Sequence, residues 1–277
     1  MTDILTLAVK EFRDGYRNRW IVLMTLVMTG LALALVLLGS VPVGATKISP
    51  LAVTVVSLSS LSIFFIPLIA LLLSYDSIVG EDERGTLTLL LVYPVSRTAI
   101  TLGKFLGQLL LLSFVIIVGF GIAVLAIVLM GDIPFFEQEW NVFLKLLLSS
   151  ILLGANFLAI GILLSSWMKE RGTAAASAIG VWLLFVVLFD MALMGILSAS
   201  DGGMFSDNFI KWVMLANPAD AYRMFNLTSS ADTALLSGMA GLRGDQGVPA
   251  QVLLALLVAW IAVPLAGACL VFQRRSL

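Results

Sequence analysis

The chain has 277 residues, of which 60% are hydrophobic and only 12% charged, and its net charge is -1. A soluble domain carries about a quarter of its residues charged, so the solvent of this fold is lipid, and the near-zero balance offers no basic surface to nucleic acid. No histidine occurs, which removes the commonest general base and the commonest nitrogen ligand for metals, and the single Cys269 makes no internal disulfide.

An unpaired backbone group in hydrocarbon costs several kcal/mol, so the chain must span as helices or as a closed barrel, and long apolar runs without a period of two select helices. In residues 4–20, Leu5, Ala8, Val9, Phe12, Tyr16 and Trp20 recur at helical spacing with Lys10, Arg13, Asp14 and Arg17 between them. This predicts an amphipathic helix lying along the membrane surface with its basic residues near anionic lipid head groups. The apolar run that begins at Trp20 is too long for a signal peptide, so residues 1–19 read as a retained interfacial segment.

A hydrocarbon core about 30 Å thick needs about 20 apolar residues. Six stretches qualify: Trp20 to Leu38, Leu51 to Ser74, Phe105 to Met130, Val142 to Trp167, Thr173 to Ser198, and Gln251 to Phe272. The expected fold is therefore an all-α polytopic membrane protein with six transmembrane helices, a single domain over residues 1–277. Pro67 and Pro264 are expected to kink their spans and free carbonyls inside the bundle. The small pairs Gly103/Gly107 and Ala174/Ala178 allow helices to approach closely, and Asn156 in the fourth span reads as interhelical glue.

Between the second and third spans, residues 75–104 combine the acidic run Glu81, Asp82, Glu83 and Arg84 with Gly80 and Gly85, an apolar run Leu87 to Val92 too short to cross a bilayer, and Pro94. The two glycines are expected to bend the chain around the charges. Two readings are open here: a short helix presented to a soluble partner, or a solvated turn joining two spans.

Ionisable residues within spans are rare and costly. Asp190, in the outer half of the fifth span, is therefore expected to face the bundle interior, a polar cavity or a dimer axis. Met191 and Met194 share its helix face, and soft thioethers favour Cu(I); methionine is also an ordinary gap filler, and no metal site is assigned. In the long loop 199–250, Phe209, Trp212, Val213, Leu215 and Ala216 predict a short interfacial helix ended near Pro218, suited to capping a dimer or docking a partner.

Lys and Arg gather on the cytoplasmic side of a membrane. One side receives Lys10, Arg13, Arg17, Arg19, Arg84, Arg97, Lys104, Lys169, Arg171, Arg274 and Arg275; the other receives Lys47, Lys145, Lys211, Arg223 and Arg243. Eleven against five places both termini in the cytoplasm.

The run Gly80-Glu-Asp-Glu-Arg-Gly-Thr-Leu87, with Tyr93-Pro-Val-Ser-Arg97, Leu102-Gly-Lys104, Lys10-Glu-Phe-Arg13 and Arg17-Asn-Arg-Trp20, resembles the hallmark of ABC-2 type permeases. The stretches Leu71 to Asp82, Val181 to Asp190 and Asn217 to Arg223 extend the resemblance over nearly the whole chain to the membrane subunits of NosDFY-type transporters, which mature nitrous oxide reductase. The resemblance implies an ABC-2, type V exporter-like fold with a cytoplasmic coupling helix. It further implies a homodimer in the bacterial inner membrane, two copies of a separate cytoplasmic ABC ATPase that hold the ATP and magnesium, and a NosD-like periplasmic partner. It makes Gly80, Glu81, Asp82, Glu83, Arg84, Gly85, Thr86 and Leu87 the ATPase-coupling residues. Asp190, Asn156, Met191 and Met194 become candidates for the translocation path, and Trp212, Asn217, Pro218, Asp220 and Arg223 candidates for docking the periplasmic partner.

No Gly-x-x-x-x-Gly-Lys-Ser/Thr loop is present, since Gly103-Lys104 is followed by Phe105. ATP hydrolysis is thus expected on another chain, and no cofactor on this one. An intramembrane enzyme is disfavoured because Asp190 lacks a second intramembrane carboxylate for acid–base work. The expected role is transport, or mechanical transmission, for copper–sulfur cluster assembly in nitrous oxide reductase. An ABC-2 exporter of a lipid, drug or peptide is the alternative, and a secondary transporter ranks below it.

Overall fold

The computed structural model describes residues 2–38, 50–129, 140–199, 212–227 and 248–275, and among them it contains helices and turns but no strand. The helices are α1 (Thr2–Tyr16), α2 (Arg19–Leu38), α3 (Pro50–Ser74), α4 (Val79–Glu83), α5 (Thr86–Leu91), α6 (Arg97–Leu129), α7 (Trp140–Trp167), α8 (Arg171–Trp182), α9 (Phe189–Ala199), α10 (Pro218–Leu227) and α11 (Ala250–Arg274). A π-helical turn over Leu183–Leu188 joins α8 and α9 into one rod. Among the described residues, six helices are long and apolar enough to cross a membrane, and each overlaps one of the six stretches of the sequence.

The bundle is built around α7, which packs against α3, α11 and α6 and has 72% of its span buried. The α8–α9 rod and α2 sit at the periphery, with 11% and 17% buried, so most of their apolar side chains face outward. In lipid that exposure costs nothing, since hydrocarbon tails are as apolar as leucine; what must be satisfied is the backbone, which helices satisfy internally.

With 33 residues, α6 is about 50 Å long and overshoots a 30 Å hydrocarbon core. Its extra turns, at the end of the bundle that also carries α4, α5 and Arg275, form the bed on which α1 lies. The close approach is made at Gly103 and Gly107: a Cβ there would fall 2.6 Å from Leu7 Cβ and 2.7 Å from the Ala8 carbonyl oxygen. The small-residue spacing thus receives the amphipathic helix rather than another span. The face of α1 turned away carries Leu5 and Val9, both exposed, as a surface helix in a lipid interface requires.

Pro67 and Pro264 both lie inside continuous helices. Near the first, the Trp182 indole N–H donates to the Phe64 carbonyl at 2.9 Å, a helix-to-helix bond made three residues before the proline loosens the ladder.

Residues 212–215 form a helical turn that ends before Pro218, as the sequence suggests, but the following helix was not foreseen. α10 enters the bundle between α3, α7 and α11. Its start is a capping arrangement: Asn217 Oδ1 accepts the Ala219 N–H at 2.9 Å, and Pro218 occupies the first helical position, where no N–H is needed. The Asn217 amide also donates to the Phe185 carbonyl at 2.8 Å, an acceptor inside the π-helical turn, where the regular ladder is interrupted. Deeper along α10, the Tyr222 hydroxyl bonds Ser150 Oγ at 2.9 Å, and Ser149 Oγ donates to Asn226 Oδ1 at 2.9 Å. All four residues are buried, so serines of α7 solvate a helix whose composition alone reads as a surface loop.

Candidate functional site

At the end of the bundle that carries α1 and Arg275, the acidic run is neither a solvated turn nor a free negative patch. The first N–H groups of α4, those of Ile78 and Val79, donate to Ser165 Oγ of α7 at 2.9 and 3.1 Å, so α4 is capped from another helix. Each carboxylate then points to a different element. Glu81 meets the Lys104 ammonium of α6 at 2.7 Å, and Glu11 of α1 approaches the same ammonium at 3.6 Å. Gln108 adds a 3.1 Å bond to Glu11. Asp82 meets Arg275 at 2.7 Å, just past α11. Glu83 accepts the backbone N–H of Arg171, the first residue of α8, at 2.6 Å. Asp76, one turn before α4, holds Arg171 at 2.9 Å and Arg84 at 3.4 Å.

Lys104 is only 4% exposed, which makes its double pairing obligatory, since an unpaired buried ammonium is costly. The two glycines divide in role. Gly80 lies inside α4, where a Cβ would collide with the Asp76 carboxylate, so it provides room rather than a bend. Gly85 has φ 69°, the left-handed conformation that ends α4 and turns the chain into α5. Thr86 Oγ1 donates to the Glu81 carbonyl at 3.2 Å across that turn.

α5 is anchored by Leu87, fully buried, and turns Leu89, Val92 and Tyr93 outward, Val92 at 82% exposure. Beside them is a cleft of about 350 Å³ lined by Lys10, Glu81, Arg84, Thr86, Leu89, Leu90 and Tyr93. The segment therefore presents an apolar knob with Lys10 and Arg84 at its edge, while its carboxylates face the chain's own helices.

The opposite end carries the second cluster. Asp190 does pair inside the molecule: Arg223 of α10 grips it with Nη2 at 2.7 Å and Nη1 at 3.3 Å, and Nη1 also reaches Asp220 Oδ1 at 2.9 Å. Asp220 lies on α10, outside the six spanning helices; burial pushes its carboxyl up to about 6, against the opposing pull of Arg223. The Asn217 amide donates to the other Asp220 oxygen at 3.1 Å.

The remaining expectations fall as follows. Asn156 is fully buried, and neither of its amide atoms is hydrogen-bonded among the described residues, so it does not bond α7 to another helix. Its neighbours one turn away on α7, Leu153 and Ile160, are apolar and buried. Met191 and Met194 are 65% and 70% exposed, on the outside of α9 and away from the bundle interior. Of the five residues expected to dock a partner, Trp212 is exposed, but Asn217, Pro218 and Asp220 are buried within this chain and Arg223 is committed to its carboxylates. They build and cap α10, which corrects their reading as an outer docking surface. Phe209 lies outside the described residues. The sequence reading missed the partners Glu11, Lys104, Ser165 and Arg275; only their charge or polarity was visible, because the contacts span 23 to 193 positions of chain.

Comparison with known proteins agrees with this architecture. The model of the ABC-2 family transporter proteins matches residues 5–277. The chain is 42% identical over 275 residues to a probable ABC transporter permease protein NosY of Stutzerimonas stutzeri, with 99% of each chain covered. It is 42% identical over 279 residues to the protein of the same description in Pseudomonas aeruginosa, with 100% of each covered. Six apolar helices, the paired acidic run between the second and third, and end-to-end similarity to two such permeases make this chain a membrane permease of the ABC-2 transporter family.

Proposed function

We propose that this chain is the non-catalytic permease of an ATP-driven machine that serves assembly of the copper–sulfur cluster of nitrous oxide reductase. The observation that carries the reading is the end-to-end 42% identity to proteins described as NosY permeases. ATP and magnesium reside on a separate ATPase, two copies of which dock at the α4–α5 end. The paired carboxylates support this: a partner pressing on Leu89, Val92 and Tyr93 pushes α4, and α4 is tied to α1, α6, α7, α8 and the segment after α11. The thinly buried α2 and α8–α9 offer outward faces for a second copy of the chain. A NosD-like partner meets the far end near Trp212.

The machine passes a sulfur species or copper, or transmits force to the far-side partner. Mechanical transmission and sulfur passage suit this chain better than copper binding, since it has no histidine and its Met191 and Met194 face outward. Deleting the gene in its native host under denitrifying conditions is expected to leave an exported nitrous oxide reductase that lacks its catalytic cluster, with nitrous oxide accumulating. A mutant whose reductase retains a complete cluster and full activity would replace this role with export of a lipid, drug or peptide.

The orientation follows the eleven-to-five distribution of Lys and Arg, with the α4–α5 end in the cytoplasm. In a Cys269→Ser background, Trp212→Cys is expected to react with an impermeant maleimide in intact spheroplasts, whereas Thr86→Cys reacts only after lysis; both residues are exposed on the chain. The reversed labelling pattern would invert the topology.

A further inference from the structure

One guanidinium joins three structural elements at the α4–α5 end. Arg275 Nη2 holds Asp82 of α4 at 2.7 Å, and its Nη1 donates to the carbonyls of Ser165 and Ser166, in the last turn of α7, at 3.3 and 3.1 Å. The Arg275 carbonyl accepts from Arg97 at 2.6 Å. Arg97, the first residue of α6, also donates to the Phe272 carbonyl at 2.8 Å and lies over the buried Phe272 ring at 5.5 Å. Ser165 closes the loop by capping α4 through its hydroxyl. The path α4, Arg275, α7 and back to α4 is thus a closed ring of hydrogen bonds, and Arg97 fastens that ring to α6 and α11.

A guanidinium suits the position because its planar fork donates in fixed directions to one carboxylate and two carbonyls at once, and a cation at the end of α7 complements the exposed carbonyls there. The Arg275 side chain is 12% exposed and that of Asp82 28%, so the pair is shielded from salt better than a surface bridge. Nothing about residue 275 in the sequence distinguishes it from the neighbouring Arg274, which makes no comparable set of bonds among the described residues.

We propose that Arg275 is a positioning residue for energy coupling: a clasp that makes displacement of α4 by the ATPase move the ends of α7 and α11 together. This rests on the permease reading above and adds to it a specific route. Without the clasp, α4 keeps its Ser165 cap on α7 but loses the one strut that ties both to the segment after α11.

The test uses the chain assembled with its ATPase subunits in nanodiscs. Arg275→Lys keeps the charge but loses the fork, and Asp82→Asn keeps Arg275 on α7 but releases α4. Each is expected to lower ATP turnover per assembled complex about tenfold with KM for ATP unchanged, and the double variant is expected to lose no more than Arg275→Lys alone, because both cut the same strut. Wild-type turnover in both single variants, or losses that multiply, would overturn the clasp. A second readout needs no ATPase: spin labels at Thr88→Cys and Gln273→Cys, in a Cys269→Ser background, should give one narrow distance distribution that both variants broaden. An unbroadened distribution refutes the clasp, whereas a wild-type complex without permease-dependent turnover refutes the permease reading and leaves the spin-label result to judge the clasp alone.

Discussion

Replacing Lys104 by methionine is expected to be the most damaging single change at the α4–α5 end. Its ammonium is 4% exposed and is shared by Glu81 at 2.7 Å and Glu11 at 3.6 Å, so removal leaves two carboxylates facing each other in a nearly closed site. Breaking a buried pair in this way costs about 3–5 kcal/mol, and the partial exposure of the two glutamates, 18% and 20%, favours the lower end of that range. A loss of about 3 kcal/mol corresponds to a fall of roughly 10 °C in the unfolding midpoint, read by size-exclusion fluorescence after a heat step. Removing all three charges in Lys104→Met, Glu11→Gln, Glu81→Gln is expected to restore most of that loss, because the cost lies in uncompensated charge rather than in the missing bond. If the triple variant is no more stable than the single one, Lys104 acts through packing instead.

The spans were legible because bilayer thickness sets their length, and a run such as residues 105–130 satisfies that requirement in any register. The position of the acidic segment was legible too, and so was a bend at Gly85, where the left-handed φ suits glycine; the bend expected at Gly80 is absent, since that residue lies inside α4. The direction of its carboxylates was not. Glu81, Asp82 and Glu83 find their partners in Lys104, Arg275 and the N–H of Arg171, which tertiary packing alone brings within reach. α10 was misread for a related reason. Asn-Pro-Ala-Asp-Ala-Tyr-Arg is polar enough for a surface loop, and its burial depends on serines contributed by α7 and on a carbonyl within a π-helical turn, neither of which leaves a local signal. Arg223 shows the same limit: counted as one outer charge in the orientation argument, it is the partner of the intramembrane Asp190 that the sequence left unpaired.

Arg223→Met is expected to be the most damaging change at the opposite end, and its signature is a dependence on pH. The residue neutralises Asp190 at 2.7 Å and Asp220 at 2.9 Å, and Asp220 is fully buried. Without it the two carboxylates repel, and the buried one takes up a proton rather than remain charged. In the wild type the Asp220 carboxyl already stands at about 6, above the usual value near 4. The folded state therefore binds the proton more tightly than the unfolded one, and stability falls as pH rises from about 4 through the folded value. Removing Arg223 takes away the cation that opposes this shift, so the window widens upward. The groups facing the carboxyl are Asp190, Arg223 and the Asn217 amide, and of these only Arg223 favours the charged form by its charge. The variant is expected to lose about 3 kcal/mol at pH 8 and to recover much of it at pH 5, with a larger gap between the two midpoints than the wild type shows. Adding Asp220→Asn should abolish the recovery while improving stability at pH 8. A single variant equally unstable at both pH values would assign the damage to lost packing of α10 instead of to unpaired charge.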